Sequence, residues 1–408
     1  MKIGLLHYTA PPIVGGVESV LAHHASLMVK AGHEVSILAG RGERFDEQIR
    51  VRILPRLDSR YAGVLKVKAL LDKGQYTSDF DKLRNEIKDD LGDEINGYDV
   101  LIAHNVASLH KNLALTAALQ ELYTQPGFPR LILWHHDLAW TTPRYRRDLH
   151  DGYPWNLLCS PWPGAIQVAV SEFRRKQLNR LLGIPETSIR VITNGVDLNT
   201  FFKFEPLTIQ LIEQLHLTQA NPLFLLPARL TPRKNIELAL RIMAELRDEF
   251  PEAALLITGP EGPHNPSNAL YKQKLLDLRK DLNLEHVVHF LAEITSGFIP
   301  DNVIADFYRL ADALLYPSRE EGFGIPLIEA AVNSIPVFCA NIAVLHELGA
   351  EDVSYFDLGT EPPLIAKSII NRLTREATSR WSRRAKHSYT WDSIYITHIA
   401  PLLEEVKT

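Results

Sequence analysis

Apolar residues fall along the chain in short runs separated by longer stretches of helical spacing. In the first half the runs cover 2–7, 34–39, 50–54, 99–103, 130–134, 165–170 and 190–192. Each is of strand length, which makes it a candidate strand. Between the first two runs Val17, Val20, Leu21, His24, Leu27 and Met28 recur every three or four residues, and Gly32 follows where a helix cap belongs. That order predicts a strand, a glycine loop and a helix. The rhythm restarts after Asn194-Gly195-Val196-Asp197, with runs at 223–227, 253–258, 287–291, 313–316, 336–338 and 353–356. Strands alternating with helices are the pattern of β-α-β units and a parallel sheet. Two such series predict an α/β chain of two Rossmann-like, doubly wound domains, 1–198 and 199–386, with a linker near 195–205. A last helix over about 387–408, carrying Trp391 and Ile394, is expected to cross back to the first domain. Doubly wound sheets bind ligands beyond the carboxyl ends of their strands, so the chemistry is sought in the loops that follow them.

Composition narrows the function. The 408 residues, 46% hydrophobic and 23% charged, suffice for two cores. A net charge of −5 argues against a nucleic-acid partner, whose phosphates demand a basic surplus. Cys159 and Cys339 are the only cysteines, which excludes a disulfide framework or a four-cysteine zinc site and fits a reducing, cytoplasmic compartment. No run approaches the ~18 apolar residues of a membrane span, and the opening run is too short for a signal peptide. The stretch 61–93 sets Lys66, Lys68 and Lys73 among Val64, Leu65, Val67, Leu70 and Leu71. Such a helix can lie on an anionic membrane. Its lysines are not confined to one face, so packing on its own domain is the favoured reading.

The most specific chemical signal is Glu321-Gly322-Phe323-Gly324-Ile325-Pro326-Leu327-Ile328-Glu329, two carboxylates eight positions apart across a glycine turn. Pro326 suits the first turn of a helix, where its missing N–H costs nothing. Glu321 is then expected on the loop and Glu329 in the first helical turn. Backbone amides at Phe323, Gly324 and Ile325 are free to hold ligand oxygens. A second segment, Pro227-Ala228-Arg229-Leu230-Thr231-Pro232-Arg233-Lys234-Asn235, follows a strand, with Lys234 expected to start a helix. Arg229 offers a planar fork and Lys234 a point charge, and together they suit a diphosphate. In the first domain Gly15-Gly16 follows the first strand, and Trp134-His135-His136-Asp137 closes another.

The nonapeptide resembles the E-x7-E motif of the family 4 retaining glycosyltransferases, a family of the GT-B fold with two Rossmann-like domains facing a central cleft. The second segment resembles the family's G-R-L-x-x-x-K-N run, with Ala228 where glycine is usual. Gly15-Gly16-Val17-Glu18 resembles its first glycine loop, and 191–197 its interdomain segment. The resemblance implies a nucleoside diphosphate sugar on the second domain, with Glu329 on the ribose, Glu321 on the sugar hydroxyls, and Arg229 and Lys234 on the diphosphate. It places Gly15 and Gly16 over the donor and His136 against its sugar. UDP-glucose and GDP-mannose both fit, and front-face attack with retention is the family expectation.

No cofactor and no essential metal are expected, since the chain has neither an H-E-x-x-H nor a Cys/His metal spacing. Asp79-Phe80-Asp81 spells D-x-D, but in a charged stretch that reads as a solvated helix face. Cys339 reads as core. After Asp137 comes an aromatic and basic segment with Arg144, Arg146 and Arg147. Asp137, Arg144 and Arg146 are candidate contacts for an acceptor, a small or lipid-linked molecule with an anionic group, because guanidinium pairs bidentately with such groups. Two rivals stand beside a transferase: a nucleotide-sugar epimerase or hydrolase of the same fold, and a catalytically silent sugar-nucleotide-binding subunit.

Overall fold

The computed structural model describes residues 1–261, 267–295 and 299–407. Thr408, the end of the expected last helix, lies outside them. The chain divides into two units, Met1–Gly195 with Ile394–Thr408, and Val196–Ser393.

In the first unit β1 (Lys2–His7), β2 (Glu34–Ala39), β3 (Arg50–Ile53), β4 (Val100–His104), β5 (Arg130–His135), β6 (Ile166–Ala169) and β7 (Ile189–Val191) form a sheet ordered β3-β2-β1-β4-β5-β6-β7. All its pairings are parallel. The helix Gly16–Lys30 joins β1 to β2. It ends as the sequence predicts, with Gly32 at φ 83°. The Gly32 N–H donates to the Val29 carbonyl at 2.8 Å and the His33 N–H to Met28 at 3.0 Å, the double closure of a Schellman cap. Order reverses between β1 and β4, so this unit's ligand position lies beyond His7 and His104.

The stretch 61–93 forms parts of two helices, Ala62–Leu71 and Ser78–Ile95. Val64, Val67, Leu71, Phe80, Leu83 and Ile87 are buried in the unit's core. Lys66 bonds Asp79 at 2.7 Å, while Asp81 accepts from Tyr76 and pairs with Arg84. Both acids of the D-x-D spelling are thus taken by local partners.

In the second unit β8 (Leu223–Leu226), β9 (Ala254–Ile257), β10 (Val288–Phe290), β11 (Ala313–Tyr316), β12 (Val337–Ala340) and β13 (Ser354–Phe356) make a parallel sheet ordered β10-β9-β8-β11-β12-β13. Side chains alternate between its faces. Phe224, Leu226, Leu255, Ile257 and Leu315 enter one apolar cluster, and Leu223, Leu225, Leu256, Leu314 and Cys339 the other. This two-sided burial is why the strands read as unbroken apolar runs. Order reverses between β8 and β11, beyond whose carboxyl ends both sequence motifs lie.

Three expectations are corrected. His387 belongs to the helix Ala377–Ser388 of the second unit, so the segment joining the first unit begins at Ile394. His387 is held there by Asp312 at 2.8 Å, beside the buried Lys386. Lys234 ends a short 3-10 turn, Pro232–Lys234, and the helix proper starts at Ile236. Asn235, at φ 50°, turns the chain between them. Glu329 sits in the second turn of the helix Ile325–Val332, because that helix begins only at Ile325.

Candidate active site

In the second unit the loop after β8 is shaped by its neighbour after β9. A Cβ on Gly259 would stand 2.1 Å from the Ala228 carbonyl oxygen, so only glycine permits that approach. The Leu230 N–H donates to Pro260 at 3.1 Å, extending the pairing past the strands. Ala228 is itself buried, and its methyl packs into the core where the family pattern has glycine. Arg229 is exposed and has no ion pair among the described residues, which leaves it available to a ligand.

Lys234 and Glu321 come together. The Lys234 ammonium donates to Glu321 Oε1 at 2.5 Å and to the Tyr316 hydroxyl at 2.8 Å. Burial lowers the Lys234 pKa, and the adjacent carboxylate only partly offsets it. Burial is the largest single influence on Glu321 and works to raise it, but the hydrogen bonds from Lys234, Ser318 and Tyr316 and the Lys234 charge together outweigh it and hold the carboxyl below its ordinary range. Arg319 ties the same two segments a second time: its N–H donates to the Arg233 carbonyl at 2.8 Å and its guanidinium to Asn235 Oδ1 at 2.7 Å.

Gly324, at φ 104°, precedes the helix Ile325–Val332. A side chain there would be strained, and its Cβ would lie 2.6 Å from Leu345. Gly322 has open space around it, while Phe323 and Ile325 are exposed. Pro326 lacks an N–H and Ile325 has no intrahelical acceptor, so the turn presents unclaimed backbone donors. Glu329 accepts from the Tyr308 hydroxyl at 2.7 Å, which orients its carboxylate.

In the first unit Gly15 caps the helix Gly16–Lys30 at φ −173°, extended backbone open to any residue. A Cβ on Gly15 would instead meet the Glu18 carboxylate at 2.1 Å. Glu18 accepts from Thr9 and lies 4.0 Å from His7. His136 follows β5, and Asn105 anchors it: Asn105 Oδ1 accepts from the N–H groups of His136 and Asp137 at 2.8 and 3.1 Å. Asn105 is buried at φ 60°. His136 Nε2 lies 3.1 Å from His104 Nδ1, with the two rings meeting edge to edge and their planes only 24° apart. His104 stacks in turn on Trp134, and its carbonyl accepts from His7 Nδ1 at 2.9 Å. Burial is the main cause that lowers His7 to about 4 and His24 and His136 to about 3, and drives His104 well below its ordinary value.

The candidate acceptor contacts are partly occupied. Asp137 accepts from Arg174 at 3.0 Å and lies 3.9 Å from Arg144. Arg144 is exposed and rests over Tyr145 at 4.6 Å. Arg146 lies over Trp140 at 4.6 Å and donates to the Leu149 carbonyl. Arg147 pairs with Asp148 at 3.5 Å.

Sequence reasoning missed Tyr316, Arg319, Asn105 and His104. Tyr316 and His104 end strands at the two points where sheet order reverses, which was the available signal. Among the described residues one group, Asp72, His110 and Asp148, could surround a metal ion, but both oxygens of Asp72 already accept from Lys68. Cys339 is buried on β12, and burial raises its thiol to about 12, as a core residue requires. No helix among the described residues is long and apolar enough to cross a membrane.

Comparison with known proteins bears on the family of the chain. Residues 14–200 match the family described as Glycosyltransferase Family 4, and residues 209–387 match Glycosyl transferases group 1. The chain is 25% identical over 381 residues to a mannosylglucosylglycerate synthase of Petrotoga mobilis, covering 87% of this chain and 86% of that protein. It is 29% identical over 211 residues to a D-inositol 3-phosphate glycosyltransferase of Frankia alni, covering 51% and 50% of the two chains. Among solved structures, Anabaena Alr3699/HepE in complex with UDP and glucose aligns with 99% of this chain and 100% of its own, at 19% identity and a TM-score of 0.37. With a family match in each unit and a relative aligned along nearly the whole length, the chain belongs to the family 4, group 1 glycosyltransferases.

Proposed function

We propose that this glycosyltransferase is a retaining, metal-independent enzyme that moves a hexose from a nucleoside diphosphate sugar to a hydroxyl of an anionic acceptor. The observation that carries the reading is the meeting of Lys234, Glu321 and Tyr316 at the switch point of the second sheet, with the exposed Arg229 on the same loop as Lys234. In this reading Arg229 and Lys234 stabilise charge growing on the departing diphosphate, the step where fixed cations contribute most. Glu321 accepts from the sugar hydroxyls and Glu329 from the ribose. His136 contacts the transferred sugar. The acceptor oxygen bonds to the anomeric carbon on the face the phosphate leaves, the carbon–phosphate oxygen bond breaks, and the acceptor proton passes to a phosphate oxygen. Nucleoside diphosphate departs.

Relatives support the choice of substrates. One carries mannosyl and glycerate in its name and another an inositol 3-phosphate, so mannosyl or glucosyl donors and acidic acceptors are the first to try. The cytoplasm, suggested by two free cysteines, is the proposed compartment. A panel of UDP- and GDP-sugars, each with and without glycerate- and phosphate-bearing acceptors, tests the reading. Nucleotide release that depends on acceptor, with an α-linked product from an α-linked donor, is expected. Release without acceptor favours a hydrolase or epimerase, and binding without release a silent subunit.

A further inference from the structure

We propose that His104 sets the tautomer of His136, so that His136 presents its Nδ1 as an N–H donor beyond the carboxyl end of β5. The claim that this donor serves sugar binding rests on the transferase reading above; the tautomer itself does not.

The geometry leaves one proton to place. His104 Nδ1 and His136 Nε2 face each other at 3.1 Å. Burial keeps both rings neutral at physiological pH. A neutral imidazole has one donor nitrogen and one acceptor nitrogen, so one of the two facing atoms holds the proton and the other accepts it. Suppose first that His136 Nε2 carries it. His104 Nδ1 then accepts, and the His104 proton must sit on Nε2, which is buried without a hydrogen-bond partner. A donor orphaned in the interior is the arrangement that folded proteins avoid most strongly. Nor does the indole of Trp134 relieve it, because the two rings are stacked at 25° and an N–H in the imidazole plane does not point at the indole face.

With the proton on His104 Nδ1 the conflict disappears. His104 donates to His136 Nε2, and only a lone pair is left in the buried position. The proton of His136 is then on Nδ1. The main chain is anchored at both residues, at His104 through its carbonyl, which accepts from His7, and at His136 through its backbone N–H, which donates to Asn105. His104 is thus a positioning residue, and His136 offers an N–H to an oxygen lone pair of a bound sugar.

Two-bond proton–nitrogen NMR correlations on the full protein with nitrogen-15-labelled histidine read the tautomer directly, with His136→Asn used to assign the signal. The expected result is a proton on Nδ1 of His136 in the ligand-free wild type. His104→Leu should shift His136 toward the Nε2 form and raise the donor KM at least ~10-fold. His104→Asn places an amide N–H near the lost Nδ1 and should restore both the tautomer and the KM to within about threefold of wild type. A wild-type His136 protonated on Nε2, or a folded His104→Leu protein with an unchanged His136 tautomer, overturns the proposal. If His104→Leu does not fold, the wild-type and His104→Asn spectra decide. Absence of turnover with every nucleotide sugar defeats the transferase reading without touching the tautomer result.

Discussion

The ammonium of Lys234 lies 2.5 Å from Oε1 of Glu321, across 87 positions of sequence, with side chains only 10% and 7% exposed. Two motifs that suggest separate duties on a donor thus form one charged pair before any ligand arrives. A diphosphate that engages Lys234 competes with Glu321 for it and frees a carboxylate oxygen for a hydroxyl.

Breaking the pair should cost both stability and rate. Lys234→Ala strands a carboxylate, and folding stability should fall by about 3 kcal/mol, as for a broken buried ion pair. Glu321→Gln keeps the volume and one hydrogen bond, so its effect should fall mainly on turnover. Each variant should lose at least ~10-fold in kcat/KM, equivalent to about 1.4 kcal/mol of transition-state stabilisation. Urea unfolding beside initial rates checks this, and a wild-type rate in either folded variant removes that residue from the site.

The first unit should weaken in acid well before its carboxylates titrate. His7 and His135 are lowered to about 4 and His24 and His136 to about 3, with burial the main cause, and His104 is lowered well below its ordinary value for the same reason. Between pH 6.5 and about 4 the unfolded chain therefore holds protons that the folded one refuses, so stability is complete above 6.5 and declines as pH falls. At pH 5.5 unfolding should take up between about four and five protons from these five groups. Calorimetry in two buffers of different ionisation enthalpy measures the uptake; none at that pH would show the cluster already charged in the fold.

The two candidate acceptor arginines should behave differently. Arg144 is exposed and only loosely paired, so Arg144→Gln should raise the acceptor KM severalfold and leave the donor KM unchanged. Arg146 is engaged by Trp140 and a backbone carbonyl, so Arg146→Gln should instead lower stability by about 1 kcal/mol. Steady-state kinetics on each single variant separates the two. Equal acceptor constants in Arg144→Gln and wild type would discard the anionic-acceptor contact.

Activity should survive EDTA. Arg229 and Lys234 can balance a diphosphate without a divalent ion, and Asp72, the most accessible acid of the candidate metal group, is already neutralised by Lys68. Complete loss in chelator with recovery on added magnesium or manganese would reverse this assignment.

The strands, their parallel order within two doubly wound sheets and the loops that carry Arg229, Lys234, Glu321 and Glu329 were legible in one dimension. Buried parallel strands must be apolar on both faces, and glycine and proline mark the turns where the chain reverses. The limits of elements were less so: Asn235 delays a helix by a residue in left-handed conformation, and Asp312 and Lys386 hold the segment around His387 in the second unit. Which side chains meet was not legible at all. Lys234 finds Glu321 and Tyr316, and His104 finds His136, because strands distant in sequence are adjacent in the sheets, β8 beside β11 and β4 beside β5. Local spacing records the period of an element and the chemistry of its turns, whereas burial, charge pairing and tautomer depend on neighbours supplied by other strands, and only the tertiary fold decides those.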